Sequence, residues 1–315
     1  MSSGHRLLLL DTASLYFRAF FGVPDSVKAP DGTPVNAVRG LMDFISRLVG
    51  EYDPSHLACC WDEDWRPQWR VDLIPSYKAH RVEAVVPGPA PDVEEVPDPL
   101  ETQIPIIIDV LTAFGIPIVG HPEMEADDVI GTLATDAGMP VDIVTGDRDL
   151  FQLVDDGQAV RVLYTARGVG KHERVDNAWV RAKYDIDARQ YADFATLRGD
   201  SSDGLPGVSG VGDKTAATLL NRFGDMAGIL AAAQDPDADL APGPRSKIKA
   251  AADYLAVAPR VVAVRRDLDL GSPDLTRPRT PQDHDAVIAL DQRWGLGSSA
   301  VRLVEALAGS ATLAR

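Results

Sequence analysis

Nine carboxylates stand where the sequence could do chemistry. Asp11 closes a run of four leucines, and Asp62 follows the apolar run 56–60. Glu125, Asp127 and Asp128 fall together in MEADDVIGTLA (124–134). Asp147 and Asp149 flank an arginine in VTGDRDLFQLV (144–154), and Asp200 and Asp203 stand in LRGDSSDG (197–204). Two carboxylates sharing a site already push one proton affinity far up, so such a gathering calls for positive charge. Hard oxygen ligands in this number suit Mg²⁺ or Mn²⁺. Two such ions roughly 3.5–4 Å apart are a device for in-line phosphodiester hydrolysis. Each acid alone has a plainer reading: Asp11 as a helix cap, Asp127 and Asp128 as first-turn acids facing a helix dipole, Asp147 and Asp149 as a turn. Capping does not explain acids at four separate strand ends, so it is the joint pattern that points to cations.

The elements that must position these acids follow from periodicity. Short apolar strands are expected at 6–11, 56–62, 115–120 and 140–147. Between them, helical spacing predicts helices over 35–52, 104–115 and 126–138, the last two stopping at Gly115 and Gly138. Strands alternating with amphipathic helices imply an α/β fold with a mostly parallel sheet. In such sheets ligands sit outside the carboxyl ends of the strands, which is where these acids fall. Residues 82–99, with five prolines and no period, are expected to be a loop. From about 185 the pattern turns helical: 191–200, 213–223, 226–233, 246–258 and 298–309, with a surface loop at 235–245.

The chain has 315 residues, 45% hydrophobic and 25% charged, enough for one large domain or two modest ones. No apolar run approaches the length of a membrane span. The expectation is a cytoplasmic protein with no membrane partner. Cys59 and Cys60, adjacent in an apolar run, read as small buried residues rather than a disulfide or zinc site. A net charge of −16 argues against a nucleic-acid partner unless the acids are concentrated at a cation site. The nine clustered acids, of 47 in all, weaken that objection.

Taken in order, LLLLDTASLYFRAF (7–20), WDEDWRPQWRVDLIPSYKAHR (61–81), the two acidic motifs above and LRGDSSDGLPGVSGVGDKTAA (197–217) resemble the 5′-nuclease family. That family includes the N-terminal domain of bacterial DNA polymerase I, bacteriophage 5′ exonucleases and the flap endonucleases. The likeness runs over about 6–300. It implies a PIN-like twisted sheet flanked by helices, a helical arch, and a C-terminal helical region with a helix–hairpin–helix at about 191–224. The implied boundaries are a nuclease core at 1–184 with its arch at 65–100, a helical DNA-binding region at 185–309, and a tail at 310–315.

Carried over by position, Asp11, Asp62, Glu125, Asp127, Asp147, Asp149, Asp200 and Asp203 would be direct or water-mediated ligands of two, or three, divalent cations, with Asp128 a further member. Tyr77, Lys78 and Arg81 match the family's element at the base of the arch, with Arg70 just before; these contact the unpaired nucleotide and the scissile phosphate. Arg18 matches the arginine of the first motif, beside the active site. Lys78 and Arg81 would lie one helical turn apart, offering cations to charge growing in the transition state. Tyr77 would offer a flat face to an unstacked base, a contact of roughly 1–3 kcal/mol. Trp61, Trp65 and Trp69 are read as packing residues rather than base contacts, and Pro67 between them speaks against one continuous helix.

Gly207, Gly210 and Gly212 of the hairpin would let the backbone approach a phosphate, with helix N-terminal amides and Lys214 binding the anion. A monovalent cation at the hairpin is left open. Departures from the family are Thr12 where glycine is usual, Gly204 where asparagine is usual, and Asp213 where proline is common; none removes a ligand. The resemblance implies a structure-specific 5′ nuclease, a 5′-3′ exonuclease or flap endonuclease, associated with the nucleoid. Its substrate would be DNA with 5′ flaps, nicks, gaps or ends, cut in replication and repair beside other proteins of those processes. With no proofreading or polymerase region following, a stand-alone enzyme is expected. The competing class is a catalytically inactive DNA-junction-binding paralogue. A ribonuclease or metal phosphatase of similar sheet would leave the hairpin and YKAHR unexplained.

Overall fold

The computed structural model describes residues 5–86 and 92–309. Its described strands, in chain order, are β1 (Leu7–Asp11), β2 (His56–Cys60), β3 (Val82–Ala84), β4 (Val93–Glu94), β5 (Ile118–Val119), β6 (Val141–Thr145), β7 (Val160–Tyr164) and β8 (Glu173–Val175). Six of them form the frame, a sheet in the order β5-β2-β1-β6-β7-β8, while β3 and β4 pair apart from it. All neighbours in the frame are parallel except β7 and β8. The four leucines of β1 are buried because β1 is central: Leu7 and Leu9 enter one apolar core, Leu8 and Leu10 the other. A strand covered on both faces reads as a continuous apolar run rather than an alternating one. Burying each such leucine contributes about 1.5–3 kcal/mol.

The chain builds outward from β1 through β2 to β5, then returns to place β6 on β1's other side. The order therefore reverses between β1 and β6, and the carboxyl ends of those two strands open a crevice. One face of the sheet is covered by helices Thr12–Gly22, Asn36–Tyr52 and Ile104–Phe114, the other by Ala126–Ala134 and the helices from Tyr191–Arg198 to Ala252–Val262.

Several sequence expectations need adjusting. Helix Ala126–Ala134 stops before Thr135, short of the glycine at 138. Strands β7 and β8 and helix Asn177–Tyr184 carry too little period to stand out in the sequence. The 235–245 loop gives way at Pro242, which starts helix Pro242–Ala250, in keeping with proline's tolerance in a first turn. The last two helices, His284–Trp294 and Ser298–Ala308, do not join the others beyond 185; they pack back against Ile104–Phe114 and Asn36–Tyr52.

The segment 65–100 differs most from expectation. Its described residues form no helical arch. Gln68–Leu73 is a six-residue helix begun directly after Pro67, and Ala79–Arg81 is a single 3₁₀ turn. Within the expected loop, β3 and β4 pair antiparallel. Three of the five prolines fall at 87–91, outside the described residues, and none falls within β3 or β4. The expected tail at 310–315 also lies outside them. Among the described residues no helix is long and apolar enough to cross a membrane. Cys59 and Cys60 are free, buried thiols.

Candidate active site

The strand ends deliver the acids to one edge of the sheet. Asp11 ends β1 and caps the helix that follows, accepting from the Ser14 amide at 3.1 Å and from the Thr145 hydroxyl at 2.6 Å. A capping role and a place at the crevice are thus compatible in one residue. Ser14, unremarked in the sequence, accepts from the Gly146 amide at 2.9 Å and so ties the end of β1 to that of β6. Asp62, just past β2, accepts from the Ala126 amide at 2.8 Å, which docks helix Ala126–Ala134 at the crevice. Asp147 accepts from the Asp149 amide at 2.9 Å.

Asp11, Asp62, Glu125, Asp127 and Asp147 line one cleft of about 470 Å³, together with Arg18, Lys78 and Arg81. Asp149, Asp200 and Asp203 gather beside Asp147, close enough that their charges oppose the ionisation of Asp149. Among the described residues no three His, Cys, Asp or Glu side chains are already arranged to hold a metal ion. The cleft is open, and its acids converge from separate segments.

Charge balance divides these acids into two sets. Asp11, Asp62, Asp127, Asp147 and Asp149 form no ion pair among the described residues. Burial, then the charge of Asp62, pushes Asp11 up to about 7. Burial raises Asp62 to about 6. Burial and the neighbouring Asp147 hold Asp127 and Asp149 well above the carboxylate range. One oxygen of Asp149, Oδ1, is buried without a hydrogen-bond partner among the described residues. Hard, uncompensated oxygens of this kind fit divalent cations.

The other set is already neutralised. Asp128, fully buried, takes a two-pronged ion pair from Arg70, with Nη1 and Nη2 donating at 2.7 and 2.8 Å, and also accepts from the Arg265 amide at 2.8 Å. Glu125 accepts from Arg70 Nη1 at 3.1 Å, from the Tyr77 hydroxyl at 2.7 Å and from Lys78 Nζ. Burial, the largest single influence, would lower Arg70 and Lys78, but Glu125 and Tyr77, together with Asp128 for Arg70 and Asp203 for Lys78, outweigh it and hold both well above their ordinary values. Asp128 and Arg70 are therefore placed in the wall of the cleft rather than facing into it. This departs from the motif-based roles, a metal ligand for Asp128 and a contact to the scissile phosphate for Arg70.

Tyr77 is likewise buried, at 4% exposure. Its hydroxyl orients Glu125, so its ring presents no free face to a base. Lys78 and Arg81 both reach the cleft, but not along a helix: Lys78 is left-handed, at φ 47°, just before the 3₁₀ turn. Arg81 donates to the Ser202 carbonyl at 2.7 Å and pairs with Asp203 at 3.2 Å. Arg18 donates to the Ala166 carbonyl at 3.4 Å. Trp61 packs against Tyr16 in the core, whereas Trp65 lines the cleft and Trp69 a separate cavity.

Two charged cleft residues escaped the sequence reading. Arg148, between two of the acids, lies 3.7 Å from Asp200 and is in plain view inside the motif. Glu94 is brought in by the β3–β4 hairpin, for which the sequence shows no period.

The segment Asp200–Leu205 is a tight turn latched onto residues 76–78. Lys78 N donates to the Asp203 carbonyl at 2.9 Å and the Ser76 hydroxyl to that of Gly204 at 2.7 Å. A Cβ on Gly204, at φ +69°, would meet the Ser76 carbonyl oxygen at 2.1 Å. Glycine at 204, a departure from the family pattern, is what this close approach requires.

The hairpin joins helices Tyr191–Arg198 and Asp213–Phe223. Gly207 serves packing, since a Cβ there would meet the Arg198 carbonyl at 2.5 Å. Gly210, Gly212 and Lys214 are exposed at the N-terminus of the second helix, and Lys247 Nζ donates to the Gly210 carbonyl at 2.7 Å.

A parallel sheet with uncompensated acids at its switch point, and a glycine hairpin beside it, defines a nuclease-type α/β domain. The 5′-3′ exonuclease N-terminal resolvase-like domain matches residues 6–185, and the 5′-3′ exonuclease C-terminal SAM fold matches 186–284. The chain is 61% identical over 300 residues to a 5′-3′ exonuclease of Streptomyces coelicolor, covering 95% of this chain and 99% of the relative. It is 52% identical over 309 residues to a 5′-3′ exonuclease of Mycobacterium tuberculosis, covering 96% and 97%. Its fold matches that of the bacteriophage T5 D15 flap endonuclease, solved as a pseudo-enzyme–product complex with DNA and metal ions. That match has a TM-score of 0.63 at 18% identity and covers 96% of this chain and all of the other. The chain belongs to the 5′-3′ exonuclease family.

Proposed function

We propose that this protein is a structure-specific 5′ nuclease that hydrolyses DNA phosphodiesters near 5′ flaps, nicks or ends in replication and repair, leaving 5′-phosphate and 3′-hydroxyl ends. The observation that carries the proposal is the set of strand-end acids that no protein cation neutralises. Held by Asp11, Asp62, Asp127 and Asp147 on one side and by Asp149, Asp200 and Asp203 on the other, two or three Mg²⁺ or Mn²⁺ ions would activate water and stabilise the leaving oxygen.

The chain's own groups do the rest. Lys78 and Arg81 stand at the cleft with ammonium and guanidinium groups for the scissile phosphate, and Arg18 and Arg148 add positive charge beside them. Tyr77 and Arg70 hold Glu125 in place from behind. The exposed amides and Lys214 at the hairpin would grip a duplex phosphate. A monovalent cation there would take its ligands from turn carbonyls, although Lys247 already holds that of Gly210. Phosphate contacts carry no base information, so recognition would rest on substrate shape and weaken with salt. The T5 flap endonuclease, whose fold this chain shares, was solved with DNA and metal ions.

Cleavage of a labelled 5′-flap substrate in Mg²⁺ is the test. Wild type should release the flap and Asp147→Asn should not; equal rates would overturn the proposal.

A further inference from the structure

A second cavity lies behind the neutralised wall of the cleft. It holds about 710 Å³; its lining combines the apolar Trp69, Met124, Ala263 and Val264 with the charged Arg260, Arg265, Arg266 and Asp267. In a chain of net charge −16, three arginines against one aspartate make this an unusually cationic place. Arg265 pairs with Asp267 at 2.9 Å. Among the described residues, Arg266 donates only to the Gln152 carbonyl, and Arg260 forms no ion pair or hydrogen bond. Trp69 contributes an indole, one face of which carries the Arg70 guanidinium 4.5 Å from the ring centre. Its Nε1 is without a hydrogen-bond partner among the described residues.

The cavity's position ties it to the cleft. Trp69 adjoins Arg70 and Met124 adjoins Glu125 in sequence, while the Arg265 amide donates to Asp128. The Arg70–Glu125–Asp128 network is thus a partition, with the acid cleft on one side and the arginine cavity on the other. Guanidinium groups beside an aromatic ring are what the backbone and bases of an unpaired strand require. A base can lie against an indole only when it is not stacked in a duplex, so the chemistry favours single-stranded over double-stranded nucleic acid.

We propose that this cavity binds the single-stranded 5′ portion of the substrate beyond the point of cleavage, with Arg260, Arg265 and Arg266 on its phosphates and Trp69 against a base. The proposal rests on the nuclease reading and extends it, assigning a binding site to a part of the substrate that the acid cleft does not hold. The site selects for the presence of an unpaired strand and not for its sequence.

Fluorescence anisotropy in Mg²⁺ on an Asp147→Asn background, where binding is read without turnover, tests it. Two substrates are compared: a nicked duplex without a flap, and the same duplex with a 5′ flap of about ten nucleotides. For Arg260→Ala/Arg265→Ala, affinity for the flap substrate should fall about tenfold and affinity for the flapless one should stay within about twofold. The salt dependence of flap binding should flatten by about 1.4 in log–log slope, at about 0.7 for each single-strand phosphate that the variant leaves unneutralised. Arg260→Glu, a change at an exposed side chain, repeats the test without disturbing the fold, and Trp69→Leu should weaken flap binding alone. Equal losses on both substrates, or no loss on either, would overturn the proposal. No cleavage of the flap substrate by wild type in Mg²⁺ would instead count against the nuclease reading.

Discussion

The two halves of the acid cleft carry the same residue types and opposite charge balance. On one side Glu125 and Asp128 are held by Arg70, Lys78 and Tyr77. On the other, Asp11, Asp62, Asp127 and Asp147 meet no protein cation among the described residues, and burial with mutual repulsion raises the proton affinity of the first three. Asp142 in β6 makes the same point away from the cleft: fully buried, it is paired by Arg6 and Arg161, each at 2.6 Å. A fully buried acid held by two guanidinium contacts, as at Asp128 and Asp142, belongs to the framework; Asp200 and Asp203, paired with Arg198 at 3.1 Å and with Arg81 at 3.2 Å, stand between the two sets. A buried acid without a guanidinium partner weakens the fold until a cation arrives, and that marks the working half.

Substitutions should separate the halves cleanly. The largest effect is expected at Asp147, where Asn should lower the flap-cleavage rate by at least about 100-fold, as loss of several kcal/mol of metal-assisted stabilisation implies; its metal-free melting temperature should not fall. Asp128→Ala should do the reverse in kind. Removing the two-pronged partner of buried Arg70, which then keeps only one ion pair, its 3.1 Å contact to Glu125, costs up to about 3–5 kcal/mol of stability, which thermal unfolding would register with or without Mg²⁺. A wild-type melting temperature for Asp128→Ala would break the comparison.

Asp11 sharpens the comparison through pH. Its ordinary value of 3.8 is raised to about 7 on folding, so the folded state holds its proton more tightly than the unfolded chain does. The stability this contributes is complete below about pH 4 and is lost as pH rises through about 7. Metal-free Asp11→Asn should therefore melt above wild type at pH 8, with the gap closing near pH 4. Mg²⁺ should stabilise wild type more than the variant. A variant that melts below wild type at pH 8 in EDTA would contradict the assignment.

Smaller effects are expected outside the acids. Gly204→Ala forces a side chain against the Ser76 carbonyl at positive φ, a strain of about 1–3 kcal/mol, and should slow cleavage by loosening the turn that carries Asp200 and Asp203. Lys214→Ala should only weaken duplex binding and flatten its salt slope by about 0.9. An effect of Lys214→Ala on turnover at saturating DNA would show that the hairpin does more than hold the duplex.

Much of this is legible in the sequence because strand ends are local features. The apolar run 7–10 and its terminal aspartate suffice to place Asp11, and the same holds for Asp62 and Asp147. Which acids are neutralised is not legible. Arg70 lies 55 residues from Glu125 and 58 from Asp128 in the chain, and nothing in either motif announces the pairing. The hairpin that brings Glu94 to the cleft is hidden for a related reason, since strands of two and three residues leave no period among prolines. Tyr77 shows the limit of carrying a role by position: the residue sits where the motif places it, but its ring is spent on the wall.

The division between the two halves is most directly tested by anomalous diffraction from crystals soaked in Mn²⁺ at pH 8. Peaks are expected among Asp11, Asp62, Asp127 and Asp147, extending toward Asp149, and none at Asp128 or Asp142. Manganese bound at the paired acids, or a cleft left without density at an Mn²⁺ concentration that supports cleavage, would refute the division.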